Sequence, residues 1–239
     1  MKKPDFEDSP LSFREEFPCP YLEDGRIAAV EYVLPAEGPE AHFDKYLADG
    51  YRRLGSGLYR NVCSLCGCCL PIRIETERFR VSRSQKRTLK KNCAVRVERH
   101  EPSVTPEKIG LYRKYITSKH SGAEDKDGPD YAATLSILHH GFSGSIEMDY
   151  FLGEKLICVG IVDAGSDSLS SNYCYYDTDY LAARIGIFSI IMEIALAKSL
   201  GKKYYYLGFY IEETPKMSYK KFFRPNQIRQ DGEWKDFLK

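Results

Sequence analysis

A chain of 239 residues is long enough to bury a sizeable core, as one large domain or two small ones. Its 43% hydrophobic and 29% charged residues are those of a folded soluble protein, which excludes disordered, collagen-like and coiled-coil readings. Thirty-five Lys and Arg against 34 Asp and Glu exclude a generally basic nucleic-acid coat protein but leave local patches open.

The first 17 residues are polar and acidic, with no apolar run after the two lysines, so no secretory signal is expected. The most apolar stretch, Ile185 to Ala197, is broken by Glu193 and is shorter than the roughly 20 residues that span a bilayer. A cytoplasmic protein with no membrane partner is therefore expected. In that compartment its eight cysteines read as thiols, metal ligands or redox groups rather than disulfides.

Glu40 to Tyr51 carries Phe43, Tyr46 and Leu47 at helical spacing and stops at Gly50, which predicts a short amphipathic helix. Tyr51 to Tyr59 predicts a hairpin turning on Gly55 and Gly57. Leu70 to Ile74 is strand-like. Ser84 is a cap for a basic helix over Gln85 to Lys91, and Ala94 to Glu98 alternates like a half-buried strand. Glu101 to Pro106 is the clearest boundary, dividing residues 1–102 from 103–239. Thr105 and Pro106 open a helix to about Lys119. Ser121 to Asp130 predicts a loop and Tyr131 to Leu138 a second helix. Ser145 to Leu152 and Lys155 to Asp163 form a hairpin about Gly153-Glu154, and Ser171 to Tyr176 is a third strand. Ala183 to Leu200 is a helix apolar on most sides, closed by Gly201, and Lys203 to Phe209 is a further strand. This order predicts an α/β (α+β) fold in which a buried helix packs on a mixed sheet.

Cysteine and charge are both concentrated. Four cysteines fall within Cys63-Ser-Leu-Cys66-Gly-Cys68-Cys69, Cys19 stands between two prolines, and Cys158 and Cys174 sit in apolar runs as core residues. Arg78 to Arg99 holds nine basic residues and one acid, Glu98, so the segment is +8 while the rest of the chain is −7. A stretch of this kind is suited to a polyanion.

Several blocks, in order, resemble the aminoacyl-tRNA–protein transferases, the arginyltransferase family with its bacterial aspartate/glutamate leucyltransferase branch. They include Cys19-Pro20-Tyr21-Leu22, Gly50-Tyr51-Arg52-Arg53-Leu54-Gly55 and the cysteine cluster running into Leu70-Pro71-Ile72-Arg73. Ser82-Arg83-Ser84-Gln85-Lys86-Arg87 with Lys90-Lys91 continues the series. Tyr176-Asp177-Thr178-Asp179, Tyr206-Leu207-Gly208-Phe209-Tyr210 and Lys216-Met217-Ser218-Tyr219-Lys220 close it. The resemblance implies an acetyltransferase-like (GNAT-type) C-terminal part beside a smaller Cys-rich N-terminal lobe. The implied reaction carries an amino acid from its charged tRNA, leucyl ahead of arginyl, to the N-terminal α-amine of proteins beginning with Asp or Glu, marking them for N-degron degradation.

That reaction is aminolysis of an activated ester, so no cofactor is required for the chemistry. A free α-amine has a pKa of about 7.7–8.0, and positioning it against the ester supplies much of the rate. Asp177, Asp179, Tyr176 and Tyr219 are the candidates for proton movement. Arg83, Lys86, Arg87, Lys90 and Lys91 are the tRNA candidates, joined by Lys216 and Lys220 on one helical face with Tyr219. A guanidinium can take the acceptor carboxylate bidentately: Arg73 first, then Arg52 or Arg53. Cys19, Cys66, Cys68 and Cys69, with Cys63 as alternate, offer a thiolate site for zinc or an iron–sulfur cluster, or stand as reduced thiols in a tight turn. Two other classes compete. One is a non-catalytic metal-binding module that recognises RNA. The other is a small-molecule N-acyltransferase, disfavoured because only Gly186 stands before the long helix where a pyrophosphate loop needs more glycine.

Overall fold

The computed structural model describes residues 11–119 and 130–238; the predicted loop over 121–129 lies outside the described residues. In chain order the elements are β1 (Leu11–Pro18), β2 (Ile27–Leu34), α1 (Phe43–Ala48), β3 (Arg52–Leu54), β4 (Gly57–Asn61), β5 (Leu70–Glu75), α2 (Arg83–Lys91) and β6 (Val95–His100). Then come α3 (Pro106–Lys119), α4 (Tyr131–His139), β7 (Ser145–Leu152), β8 (Lys155–Ala164), β9 (Ser168–Tyr176), a 3-10 turn Thr178–Ala183 and α5 (Ile185–Ser199). β10 (Tyr204–Tyr210), α6 (Pro215–Ser218), a second 3-10 turn Tyr219–Phe222, β11 (Asn226–Gln230) and β12 (Glu233–Leu238) complete the chain. Among the described residues no helix is long and apolar enough to cross a membrane.

The strands form a four-stranded sheet, β1-β2-β4-β3, and an eight-stranded mixed sheet, β12-β11-β5-β10-β9-β8-β7-β6. The predicted division at residue 102 does not follow these sheets. β5 lies deep in the large sheet between β11 and β10, and β6 closes its far edge on β7. Antiparallel pairing of these two strands with later ones needs no sequence proximity, so a Pro-flanked loop marks a turn in the chain rather than a domain boundary. The part that stands as its own sheet is β1 to β4.

The mixed α/β expectation holds, and the core explains it. α5 is apolar all round because it is buried on the large sheet: Ile185, Phe188, Ile191 and Ile194 pack with Ile72, Ile74, Tyr150 and Tyr205. Arg184, at φ 58°, starts it abruptly, and Gly201, at φ +68°, ends it as expected. The β3–β4 hairpin turns at Gly55, φ +59°, with Leu54 opposite Gly57. α2 begins two residues earlier than Ser84 predicts. Ser82 Oγ accepts from Gln85 N at 3.2 Å and Gln85 Oε1 from Ser82 N at 2.8 Å, a capping box that the Ser-x-x-Gln spacing favours. Cys158 is fully buried and its Sγ lies 3.6 Å from that of Cys174 on the neighbouring strand. Cys158 therefore occupies the core as expected, while Cys174 is half-buried against it.

Candidate functional site

β9 and β10 run parallel but pair only from Ser168–Tyr204 to Ser170–Tyr206. Beyond that point β10 bulges against β5 between Tyr206 and Gly208, and the two parallel strands part. Parting strands leave main-chain carbonyls without partners, and Arg52 of β3 supplies the donors. Its Nη2 donates to Ser171 O at 2.6 Å and Asn172 O at 3.0 Å. Its Nη1 is buried with no hydrogen-bond partner among the described residues. Gly208, at φ +89°, makes the insertion geometrically feasible, since a Cβ there would overlap the Arg52 guanidinium. A glycine inside a strand pattern is the sequence signal for such a bulge.

Lys220 lies on the same bulge. The helical face predicted for Lys216, Tyr219 and Lys220 breaks after Ser218, where α6 gives way to the 3-10 turn. Lys216 therefore stays exposed while Lys220 turns inward. Lys220 is 8% exposed and its Nζ donates to Phe209 O at 2.9 Å, so it is withdrawn from tRNA phosphates. Burial, helped by the Arg52 charge, pushes its amine down to about 7. Burial pushes the Tyr219 phenol well up, which leaves it a hydrogen-bond donor throughout the physiological range. Burial also raises Glu193 of α5, whose oxygens accept from Tyr205 OH at 2.6 Å and Ser189 Oγ at 2.7 Å.

The other predicted proton carriers lie at the end of β9. Asp177 is buried, paired with Lys114 and, at 2.7 Å, with Lys155, and its Oδ1 accepts from Asp179 N at 3.0 Å. Burial opposes ionisation, yet the two lysines and the amide outweigh it and hold the carboxyl at about 2. So weak a base, already capping a turn, does not suit removal of an ammonium proton. Asp179 is exposed, with Lys114 Nζ 2.6 Å away. The Tyr176 ring packs edge-on against Tyr115, with centroids 4.9 Å apart.

Two of the three acceptor arginines are committed elsewhere. Arg53 is buried in an ion pair with Asp163 at 2.8 Å, and its remaining nitrogens donate to the carbonyls of Gly55, His140 and Leu138. Its side chain is fully buried and closed to a substrate. Arg73 is sandwiched between Tyr204 and Trp234, 3.9 and 4.2 Å from the ring centroids. Its Nε donates to Gln227 Oε1 at 2.8 Å and its Nη1 to Tyr206 OH at 3.2 Å, so both faces and part of its edge are engaged. Arg53 ties the small sheet to the large one, and Arg73 braces neighbouring strands of the large sheet.

Two cavities open beside the bulge. The polar one, about 320 Å³, is lined by Arg60, Arg229, Asp49 and Asp231 together with Asn61, Cys69 and Phe209. Arg60 Nε pairs with Glu31 at 2.7 Å, and Arg229 Nη2 lies 3.8 Å from Asp49. Arg229 stands near the end of β11 and Asp231 in the β11–β12 turn, where Asp231 (φ 54°) and Gly232 (φ +81°) form a tight hairpin. That Asp-Gly pair is a sequence signal for this hairpin. The second cavity, about 220 Å³, shares Asn61 and Cys69 with the first and is predominantly apolar.

Cys19, Cys63, Cys66 and Cys69 all line this second cavity. Soft thiolates are the right donor type for zinc or an iron–sulfur cluster, and four of the five predicted thiols gather about this one cavity. Cys68, predicted as a ligand, points its thiol at Glu213 Oε1, 3.4 Å away, while Arg26 Nη1 sits 3.1 Å from Cys66 Sγ. Among the described residues no three side chains are grouped as ligands of one ion. Burial pushes the Cys69 thiol up to about 12, so this part of the wall is neutral.

Arg83, Lys86, Arg87, Lys90 and Lys91 of α2 are all exposed. Gln85, on the opposite face, donates to Phe222 O at 3.3 Å and ties the basic helix to the turn that carries Lys220.

Residues 17–87 match the family model described as Arginine-tRNA-protein transferase, N terminus, and residues 107–230 that described as Arginine-tRNA-protein transferase, C terminus. A protein of Leptospira interrogans named aspartate/glutamate leucyltransferase is 35% identical over 223 residues, 92% of this chain and 86% of its own. Proteins with the same name are 32% identical in Campylobacter jejuni, covering 88% of each chain, and 30% identical in Thiobacillus denitrificans, covering 97% of this chain and 96% of that one. Among solved structures, L-PGS from Bacillus licheniformis aligns at TM-score 0.47 and 11% identity, over 84% of this chain and 69% of that one.

Proposed function

Since the chain belongs to the arginine-tRNA-protein transferase family, we propose that it transfers a leucyl group from charged tRNA to the α-amine of proteins beginning with Asp or Glu. One observation carries the reading. A polar cavity and an apolar cavity share a wall at Asn61 and Cys69, and Phe209 of the polar cavity accepts a hydrogen bond from the buried Lys220 amine. An enzyme that joins two dissimilar substrates needs two adjoining sites of different chemistry.

The acceptor takes the polar cavity. Its side-chain carboxylate lies against the Arg60 and Arg229 guanidiniums, and its α-ammonium faces Asp49 or Asp231, a pairing that a neutral N-terminal side chain cannot complete. The amine then attacks the ester carbonyl. A C–N bond forms, the C–O bond to the ribose breaks, one proton leaves the nitrogen and one reaches the departing oxygen. Lys220, with an amine near neutrality, can accept the first and return the second, while Arg52 faces the charge that develops on the carbonyl oxygen. The acceptor stem lies along the exposed face of α2, held by phosphate contacts without reading sequence.

The test of the acceptor site is steady-state transfer to Asp- and Glu-initiated peptides. Arg229→Ala should raise the peptide KM by roughly 10- to 100-fold, the scale of a lost charge-assisted contact, while the KM for leucyl-tRNA stays near wild type. An unchanged peptide KM removes Arg229 from the acceptor site.

A second experiment concerns α2. Reversing Arg83, Lys86 and Arg87 to Glu should weaken tRNA binding and flatten its dependence on salt, because fewer counterions are released. Equal affinities and equal salt slopes for the two proteins place the tRNA elsewhere.

A further inference from the structure

We propose that the apolar cavity of the four-stranded sheet receives the side chain of the transferred amino acid and selects an aliphatic group of leucine size. The inference rests on the transferase reading above and assigns its donor subsite.

The lining is the first argument. Phe17, Ala28, Val30, Tyr32, Leu54 and Tyr59 form the apolar part of the wall beside the four thiols, and among the described residues no Asp or Glu lines it. Its one charged lining residue is Arg26, whose guanidinium is committed to Asp24 and to Cys66. An arginyl side chain entering here meets a like charge and finds no carboxylate, and burying an unpaired charge is heavily disfavoured. A branched aliphatic chain loses only water. The buried wall is rigid, since Ala28 and Val30 stand on the central strand β2, which is paired on both sides.

Position is the second argument. Tyr59 lines the cavity and stands opposite Arg52 in the β3–β4 register, and its ring lies 6.2 Å from that of Phe209. Phe209 in turn lines the polar cavity and offers its carbonyl to Lys220. A side chain held in the apolar cavity thus leaves its ester near the wall shared with the acceptor, on the side where Arg52 and Lys220 stand.

The experiment separates the side chain from the tRNA body. One leucine tRNA is charged with leucine, alanine or arginine and presented with an Asp-initiated peptide. Wild-type enzyme should prefer leucine to alanine by at least 10-fold in kcat/KM, as a pocket that reads added methylenes does, and should reject arginine on the same tRNA. Ala28→Leu fills the cavity, so leucyl transfer should fall at least 10-fold while alanyl transfer changes less than 2-fold. Leu54→Asp, at an exposed rim position, adds the missing carboxylate without disturbing the core and should raise arginyl relative to leucyl transfer at least 10-fold. Equal losses for leucyl and alanyl groups in a folded Ala28→Leu enzyme, with an unmoved Leu54→Asp ratio, overturn the assignment. So does a loss that follows the second residue of the peptide, which gives the cavity to the acceptor. Wild-type enzyme that transfers nothing from any charged tRNA refutes the transferase reading itself.

Discussion

Lys220→Met is expected to lower kcat by roughly 10²–10⁴-fold, the range for loss of a positioned proton carrier. The motive is geometric as well as electrostatic: the amine is buried at the β10 bulge, bonded to Phe209 O, and pushed down to about 7 by burial and Arg52. Lys220→Arg should be nearly as impaired. A guanidinium can keep the bond to the carbonyl, but it stays charged and cannot take a proton. The pH profile identifies the group. Below about pH 7 the wild-type amine is protonated and cannot act as a base, so activity rises with pH as it is freed. The acceptor α-amine titrates in the same direction at about 7.7–8.0. Under acid conditions log kcat/KM should therefore climb with a slope of about two in wild type and about one in Lys220→Met. A variant that keeps more than a tenth of wild-type kcat, with an unchanged slope, takes Lys220 out of the proton path.

The second large effect falls on stability. Arg53→Met removes one partner of a fully buried ion pair and leaves Asp163 charged against Ser145 Oγ alone, at 2.6 Å. Breaking such a pair costs about 3–5 kcal/mol. For a chain of this size that corresponds to a fall in Tm of roughly 6–20 °C. The peptide KM of the enzyme that remains folded at low temperature should stay near wild type. A normal Tm with a raised KM for Asp- and Glu-initiated peptides instead returns Arg53 to the acceptor site. Arg52, its neighbour, has a different position: alternation along β3 sends one side chain into the clamp with Asp163 and the other into the gap between β9 and β10.

Legibility in the sequence followed the range of the physical signal. α5 and α3 carry complete local evidence, an all-round apolar run with a C-terminal glycine in one and Thr105-Pro106 in the other, and both stand where that evidence puts them. β1 left little trace because nearly all its side chains are exposed at a sheet edge. The β11–β12 hairpin was readable from Asp231-Gly232 between alternating residues, and missing it hid Arg229 and half of the polar cavity.

What the sequence alone determined is therefore local or compositional. It contains the mixed α/β order, the basic helix with its exposed cations, the convergence of cysteines and the blocks that mark the family. What only tertiary structure decided is which like residue does what. Arg52, Arg53 and Arg73 are indistinguishable as letters, yet one meets unpaired carbonyls, one a buried carboxylate and one two aromatic rings. Lys216 and Lys220 share a motif, but a change from α to 3-10 geometry leaves the first in water and buries the second. Charge state and reach depend on burial and on partners more than 100 residues away, such as Asp163 for Arg53 and Ser171 for Arg52. Only the pairing of distant strands creates those surroundings.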